Sequence, residues 1–118
     1  MVNKLAISIG LAVGLMGVAL GQEVKCPSRQ GKNPLSSVSV FDGPPAEQAD
    51  LVPDVTRGSG THLYMSWDII DEGRGVYVVC RYSGHGNAHD VTVKLDKKVK
   101  RCVFQAGGGV KPADLTCK

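Results

Sequence analysis

Residues 81–90, "RYSGHGNAHD", combine histidine, serine and aspartate within one short stretch. His85 and His89 are four residues apart, a spacing that brings two metal ligands together on one face of a helix. With His62 and Asp90 they would complete a ligand set for a transition metal, and hence a metal-dependent hydrolase. Glycines on both sides of His85 argue against a helix, so we predict no metal site and favour histidines displayed on a loop.

A nucleophilic triad is the second chemistry that these residue types allow. Ser83, His85 and Asp90 carry the required side chains, but one turn leaves little room for a nucleophile, a base and a buried orienting acid to meet. No G-x-S-x-G elbow is present. The acidic group at residues 68–72 is typical of solvated side chains at a strand end rather than of glycosidase acids. We therefore predict no catalytic residue, no cofactor and no enzyme activity.

The elements that must position this stretch are strands. In "THLYMSWDII" (61–70) apolar and polar residues alternate through Trp67, the pattern of a strand with one buried face. The segments "VYVVCRY" (76–82), "VTVKL" (91–95) and "VKRCVF" (99–104) follow with short connections. We expect these four strands to form an antiparallel meander in an all-β fold, a small antiparallel sheet or sandwich. The polar stretch would be the tip of a hairpin.

The remaining segments carry weaker patterns. "SVSVF" (37–41) predicts a short strand, and the proline-rich segment 42–54 has room for at most one helical turn, at 46–49. The triple glycine at 107–109 is not followed by the lysine and helix of a phosphate-binding loop. We interpret it as a flexible link.

The N-terminus predicts export. Lys4 precedes an apolar run, and the small residues Ala19 and Gly21 predict signal-peptide cleavage after Gly21. Residues 1–21 would be the signal peptide and 22–118 a single β-rich domain, periplasmic or secreted, with no membrane anchor after cleavage. Cleavage removes one of 14 cationic residues and none of the 11 acidic ones. The slight positive charge that remains is not the large basic excess of a nucleic-acid-binding domain.

The cysteines predict a disulfide framework, because an even number occurs in a short exported chain. They are Cys26, Cys80, Cys102 and Cys117, and three pairings are possible. We favour Cys80–Cys102, on neighbouring strands of the predicted meander, and Cys26–Cys117, which would join the ends of the domain. Each bridge is expected to contribute about 2–4 kcal/mol. A zinc site is disfavoured because no C-x-x-C pair is present.

The densest basic group lies at residues 94–101. Its members are Lys94, Lys97, Lys98, Lys100 and Arg101. Lysines often protect an edge strand from pairing with another chain. The functional alternative is a structural or accessory envelope domain that docks onto an acidic partner through this basic strand.

Several short motifs, in their order, resemble a family of small, uncharacterised exported proteins of Gram-negative bacteria. They are "CP" (26–27), "DGPP" (42–45), "LVPD" (51–54), the strand through Trp67, "VCRYSG" (79–84) and "VKRCVF" (99–104). This resemblance spans nearly the whole predicted domain and implies a periplasmic β-rich domain. In size, export and predicted bridges, the sequence more loosely resembles the periplasmic lysozyme inhibitors and the immunity proteins of cell-wall hydrolases, which place a loop in an enzyme cleft.

We therefore predict a non-enzymatic periplasmic binding protein with a protein partner. The hypothesis is an inhibitor or immunity protein of a peptidoglycan-acting enzyme. The hairpin loop 82–90 is its predicted binding surface, because binding residues concentrate in loops held by rigid sheets. The predicted contact residues are Tyr82 as aromatic anchor and the polar residues Ser83, His85, Asn87 and His89.

Overall fold

The structure, a computed structural model, describes residues 23–84 and 89–118. The predicted signal peptide, residues 1–21, lies outside the described residues. Among the described residues, no helix is long and apolar enough to cross a membrane. The strands are β1 (Val24–Lys25), β2 (Arg29–Gln30), β3 (Asn33–Asp42), β4 (Val55–Arg57), β5 (Tyr64–Asp68), β6 (Val76–Tyr82), β7 (Val91–Lys94), β8 (Arg101–Gln105) and β9 (Asp114–Cys117).

The strands form two antiparallel sheets. Sheet I has the order β1-β9-β8-β5-β4, and sheet II has the order β2-β3-β6-β7. Helical structure in the described part of the chain is confined to two 3-10 turns, Pro45–Glu47 and Gly60–His62. The prediction of an all-β, antiparallel and disulfide-bridged fold is confirmed.

The core contains alternate side chains of the central strands. Val40 and Val78 from sheet II are fully buried, as are Phe104 and Leu115 from sheet I. Trp67 of β5 is 2% exposed, and its indole Nε1 donates a hydrogen bond to the Leu51 carbonyl oxygen at 3.1 Å. The indole therefore fills the core and holds the long β3–β4 connection against it.

The four strands predicted as a meander are present but connected differently. Only β6 and β7 form the expected hairpin, while β5 pairs with β8. The connections 69–75 and 95–100 instead carry the chain from one sheet to the other. They contain Ile69, Leu95 and Val99, all buried in the core cluster. Because these apolar side chains turn inward, each connection crosses over the core rather than reversing within one sheet.

The predicted disulfide pairing is wrong, because it depended on that meander. The bridges are Cys26–Cys80 and Cys102–Cys117. Cys102 on β8 lies directly opposite Cys117 on β9, with the two Cα atoms 4.0 Å apart. Cys80 lies on sheet II and bonds to Cys26, which follows β1 of sheet I. One bridge therefore joins the two sheets, and the other joins neighbouring strands.

Candidate binding surface

The connections of the sandwich gather at two opposite ends. We call the first the glycine end, formed by connections 28–33, 58–63, 83–90 and 106–113; of residues 83–90 the structure describes 83, 84, 89 and 90. We call the second the lysine end, formed by connections 43–54, 69–75 and 95–100. The strand registers fix this division, since Leu35, Tyr64 and Asp114 pair near the first end and Asp42, Asp68 and Cys117 near the second.

The glycine end carries cations with almost no acidic residues. Its four connections contain Arg29, Lys32 and Lys111, and their single acidic residue is Asp90. None of the three cations lies within ion-pair distance of a described acidic residue, whereas Asp90 Oδ2 is 3.9 Å from Arg81 Nε. These positive charges are thus left for an external anionic group to neutralise.

The predicted loop emerges from the β6–β7 hairpin at the glycine end. Ser83 is exposed, and its amide donates to the Pro34 carbonyl oxygen at 3.0 Å. His89 and Asp90 line an open groove of about 530 Å³ together with residues 30–33 of the β2–β3 hairpin. The structure thus brings Ser83 and His89 to the same end, with His89 and Lys32 lining one groove. The other two predicted polar contacts, His85 and Asn87, lie outside the described residues.

Tyr82 supports this loop from inside the core. Its side chain is 4% exposed, and its hydroxyl donates to the Pro27 carbonyl oxygen at 2.6 Å. Burial raises the pKa of the phenol above its ordinary value. The ring therefore holds the segment after Cys26 against β6 and does not present an aromatic surface to a partner in this conformation.

Arg81 fixes the outer side of the same hairpin. Its guanidinium donates to the hydroxyl of Ser39 and faces the Asp90 carboxylate, while the Ser36 hydroxyl donates to the Arg81 carbonyl oxygen at 3.2 Å. The carboxylate that sequence reasoning considered for a triad or metal site is thus directed at a guanidinium. Among the described residues, no three histidine, cysteine or acidic side chains come together in a way that would hold a metal ion.

Sequence reasoning missed the other cationic contributions to the glycine end. Arg29 and Lys111 lie 82 positions apart, yet both line one groove of about 550 Å³ beneath the β8–β9 connection. Nearby, the Arg57 guanidinium stacks over the Tyr64 ring at 4.4 Å from its centroid. Arginine and tyrosine are frequent anchors of protein interfaces. The sequence alone gave no signal for this convergence, because only the fold brings these distant connections together.

The lysine end contains more acidic than basic residues in its connections. The predicted basic strand 94–101 is not a strand: β7 ends at Lys94, residues 95–100 cross between the sheets, and β8 begins at Arg101. Backbone hydrogen bonds from Gly73 and Gly75, and then the nearby Lys97 and Lys94, lower the pKa of the Asp71 carboxyl. Lys97 and Lys94 therefore lie near the Asp71 carboxylate.

Two ion pairs also lie at the lysine end. Arg101 Nη2 lies 3.0 Å from Asp68 Oδ1, and Arg74 pairs with Glu47. The three connections of the lysine end contain six acidic residues, Glu47, Asp50, Asp54, Asp71, Glu72 and Asp96, and four cations, Arg74, Lys97, Lys98 and Lys100. A dense basic run in the sequence has therefore not produced a basic surface.

Comparison with known families gives one match. The family described as "Type VI secretion system Tli immunity protein" matches residues 29–118, which is most of the chain. No curated protein and no solved structure is similar enough to the chain to match it. The matched region begins at β2 and contains the glycine end except for Ser28.

Proposed function

Because the chain belongs to the family of Tli immunity proteins of type VI secretion systems, we propose that it binds a toxic effector of such a system and blocks its activity. The protein acts by binding one partner and needs no catalytic group of its own. This agrees with the sequence-based expectation of an exported, non-enzymatic inhibitor. We place its action in the periplasm, the compartment to which the predicted signal peptide would deliver it.

The binding surface in this proposal is the glycine end. Four connections from both sheets converge there, and the uncompensated Arg29, Lys32 and Lys111 give it one sign of charge. A surface of one sign speeds association with a partner of the opposite sign and suppresses wrong partners. The single observation that carries the assignment is this segregation of charge between two ends of one scaffold.

The predicted loop takes part in this surface in a modified form. Ser83 and His89 provide polar groups at this end, and His85 and Asn87 remain proposed contacts of the same loop. Tyr82 stabilises the loop by packing beneath it. The Cys26–Cys80 bridge ends two residues before Tyr82 along β6, so the loop is displayed from a fixed base. A fixed base lowers the entropy lost on binding.

The test is direct binding and inhibition. The full chain is exported, purified from the periplasm and mixed with a candidate type VI secretion effector, the effector being prepared both active and as an active-site variant. A stoichiometric complex and loss of effector activity are expected. Effector activity is assayed on peptidoglycan, as the sequence-based hypothesis requires, and in parallel on phospholipid vesicles, because phospholipids are another hydrolysable component of the envelope.

A cellular experiment gives the control. Cells that lack this gene should lose viability when they receive the effector in the periplasm, and the exported chain should restore it. A variant without residues 1–21 stays in the cytoplasm and should not protect. Protection by that variant, or no complex in vitro, would refute the proposal.

A further inference from the structure

The triple glycine of the β8–β9 connection forms a tight turn rather than a flexible link. The Gly108 amide donates to the Lys111 carbonyl oxygen at 2.8 Å, and the Lys111 amide donates back to the Gly108 carbonyl oxygen at 3.0 Å. Gly109 has a φ of 58°, and Val110, the second central residue, has no positive φ. Glycine at the first central position with this sign pattern is typical of the II′ turn of a two-residue hairpin.

Each of the three glycines meets a different physical requirement. A β-carbon at Gly107 would lie 2.6 Å from the Lys111 carbonyl oxygen and closer still to the Ala113 nitrogen. A β-carbon at Gly108 would lie 2.5 Å from Thr61 Cγ2, and Gly109 needs its left-handed backbone. The turn is therefore packed against its own return strand and against the β4–β5 connection. The hairpin turn can occupy this position only because all three residues are glycines.

Val110 occupies the apex of this fixed turn and is fully exposed. Single apolar residues on a surface are common and need no function. Here, however, the side chain stands on a two-residue turn whose backbone is restrained by the reciprocal hydrogen bonds of Gly108 and Lys111, which lowers the conformational entropy lost on binding. Val52 at the lysine end is a second exposed valine with which Val110 can be compared. It is 83% exposed but lies in the long β3–β4 connection rather than on a two-residue turn.

The surroundings of Val110 define the chemistry of its partner. Lys111 follows it directly, and Arg29 lies across the groove that the hairpin covers. On the other side of the hairpin, Thr61 and His62 line a second groove of about 340 Å³. The apex is thus an aliphatic side chain with cations beside it. A partner site complementary to this apex would be an apolar pocket with carboxylates on its rim.

We infer that Val110 is the apolar anchor by which the glycine end engages the effector, inserting into an apolar pocket with an acidic rim on that enzyme. This inference rests on the proposed function and adds the contact residue and the chemistry of the site it fits. The rigid hairpin positions the valine, while Arg29 and Lys111 pair with the rim.

The experiment compares one substitution at two exposed valines. Val110→Asp and the control Val52→Asp are exported and purified as full chains, and binding to the active-site variant of the effector is measured by calorimetry. Val110→Asp should weaken binding about 10- to 100-fold, the range that corresponds to loss of a buried valine side chain. It also places a carboxylate against the acidic rim. Val52→Asp should change binding less than about twofold.

Two further measurements separate the outcomes. Thermal unfolding should be unchanged in both variants because neither valine is packed, and Val110→Leu should retain affinity within a few-fold. If the wild-type chain binds the effector and Val110→Asp binds equally well, the anchor is refuted while the proposed function stands. If the wild-type chain does not bind the effector, the proposed function fails, and the anchor fails with it.

Discussion

The two ends of the sandwich differ in how charge is arranged, although the same strands connect them. The lysine end has the densest basic run in the sequence, yet its connections contain more acidic than basic residues. Asp68, Asp71 and Glu47 lie beside Arg101, Lys97 and Arg74, respectively. The glycine end has scattered cations that the fold brings together without acidic partners in range among the described residues. Local charge density along a chain is therefore a poor guide to surface charge. The distribution of the opposite sign decides which end can attract a partner.

The largest expected effect comes from removing the scaffold that both ends share. Replacing Cys26 and Cys80 by serine opens a loop with a sequence separation of 54 and should lower the free energy of unfolding by about 4 kcal/mol from chain entropy. Replacing Cys102 and Cys117, with a separation of 15, should cost about 3 kcal/mol. Urea unfolding of the two double variants measures the difference. Equal stability of both variants and the wild type would contradict a stabilising role for the two disulfides.

The next effect is confined to the glycine end. Gly107→Ala would force a β-carbon against the backbone of Lys111 and Ala113, and should cost about 1–3 kcal/mol of unfolding free energy. The control is Gly31→Asn, where the left-handed backbone has open space around it and asparagine is tolerated. Thermal unfolding should show a clear loss for the first variant and almost none for the second. Similar melting temperatures would restore the flexible-link interpretation.

Charge reversal tests which end of the sandwich attracts the effector. The triple variant Arg29→Glu, Lys32→Glu, Lys111→Glu should slow association with the effector at least about tenfold at low salt, because steering would become repulsion. The matched variant Lys97→Glu, Lys98→Glu, Lys100→Glu changes as much charge at the lysine end and should alter the rate far less. Stopped-flow association at two salt concentrations checks both. A larger effect of the second variant would instead favour docking through the lysine end.

The smallest effect concerns the base of the predicted loop. Tyr82→Phe removes the hydrogen bond to Pro27 and should cost about 1 kcal/mol at neutral pH. The pKa of Tyr82 is raised in the folded protein above 10.0, so its contribution is intact below about pH 10 and is lost as the pH rises through the folded value. Unfolding measured from pH 8 to 11 should therefore show a steeper alkaline decline for the wild type than for Tyr82→Phe. If the free energy of unfolding falls equally with pH in the two proteins, the Tyr82 hydroxyl does not cause the alkaline decline.

The fold class was predictable because strand periodicity is local. The alternation around Trp67 and the β-branched run at 76–82 identify strands whatever their partners are. Strand pairing is not local, so the short connections between these strands predict hairpins where the chain in fact crosses between sheets. The pattern places Ile69, Leu95 and Val99 at the ends of strands, whereas the structure places them in the crossing connections with their side chains buried.

The candidate site was predictable only in part. The hairpin of β6 and β7 follows from adjacent strands and a polar, glycine-containing connection. The convergence of Arg29 with Lys111 depends on contacts between distant segments, and a single sequence gives no signal for it. The glycine run was misread for another reason. Composition does not distinguish a glycine chosen for flexibility from one chosen because a neighbouring backbone occupies the space of its β-carbon.

The central claim is that the effector binds at the glycine end, and hydrogen exchange of the chain with and without the effector tests it most directly. When the effector is bound, backbone amides at 28–33, 58–63, 83–90 and 106–113 should exchange more slowly than in the free chain, with the amide of Val110 among those protected. Amides at 43–54, 69–75 and 95–100 should exchange at unchanged rates. Protection confined to those last three segments would contradict the account.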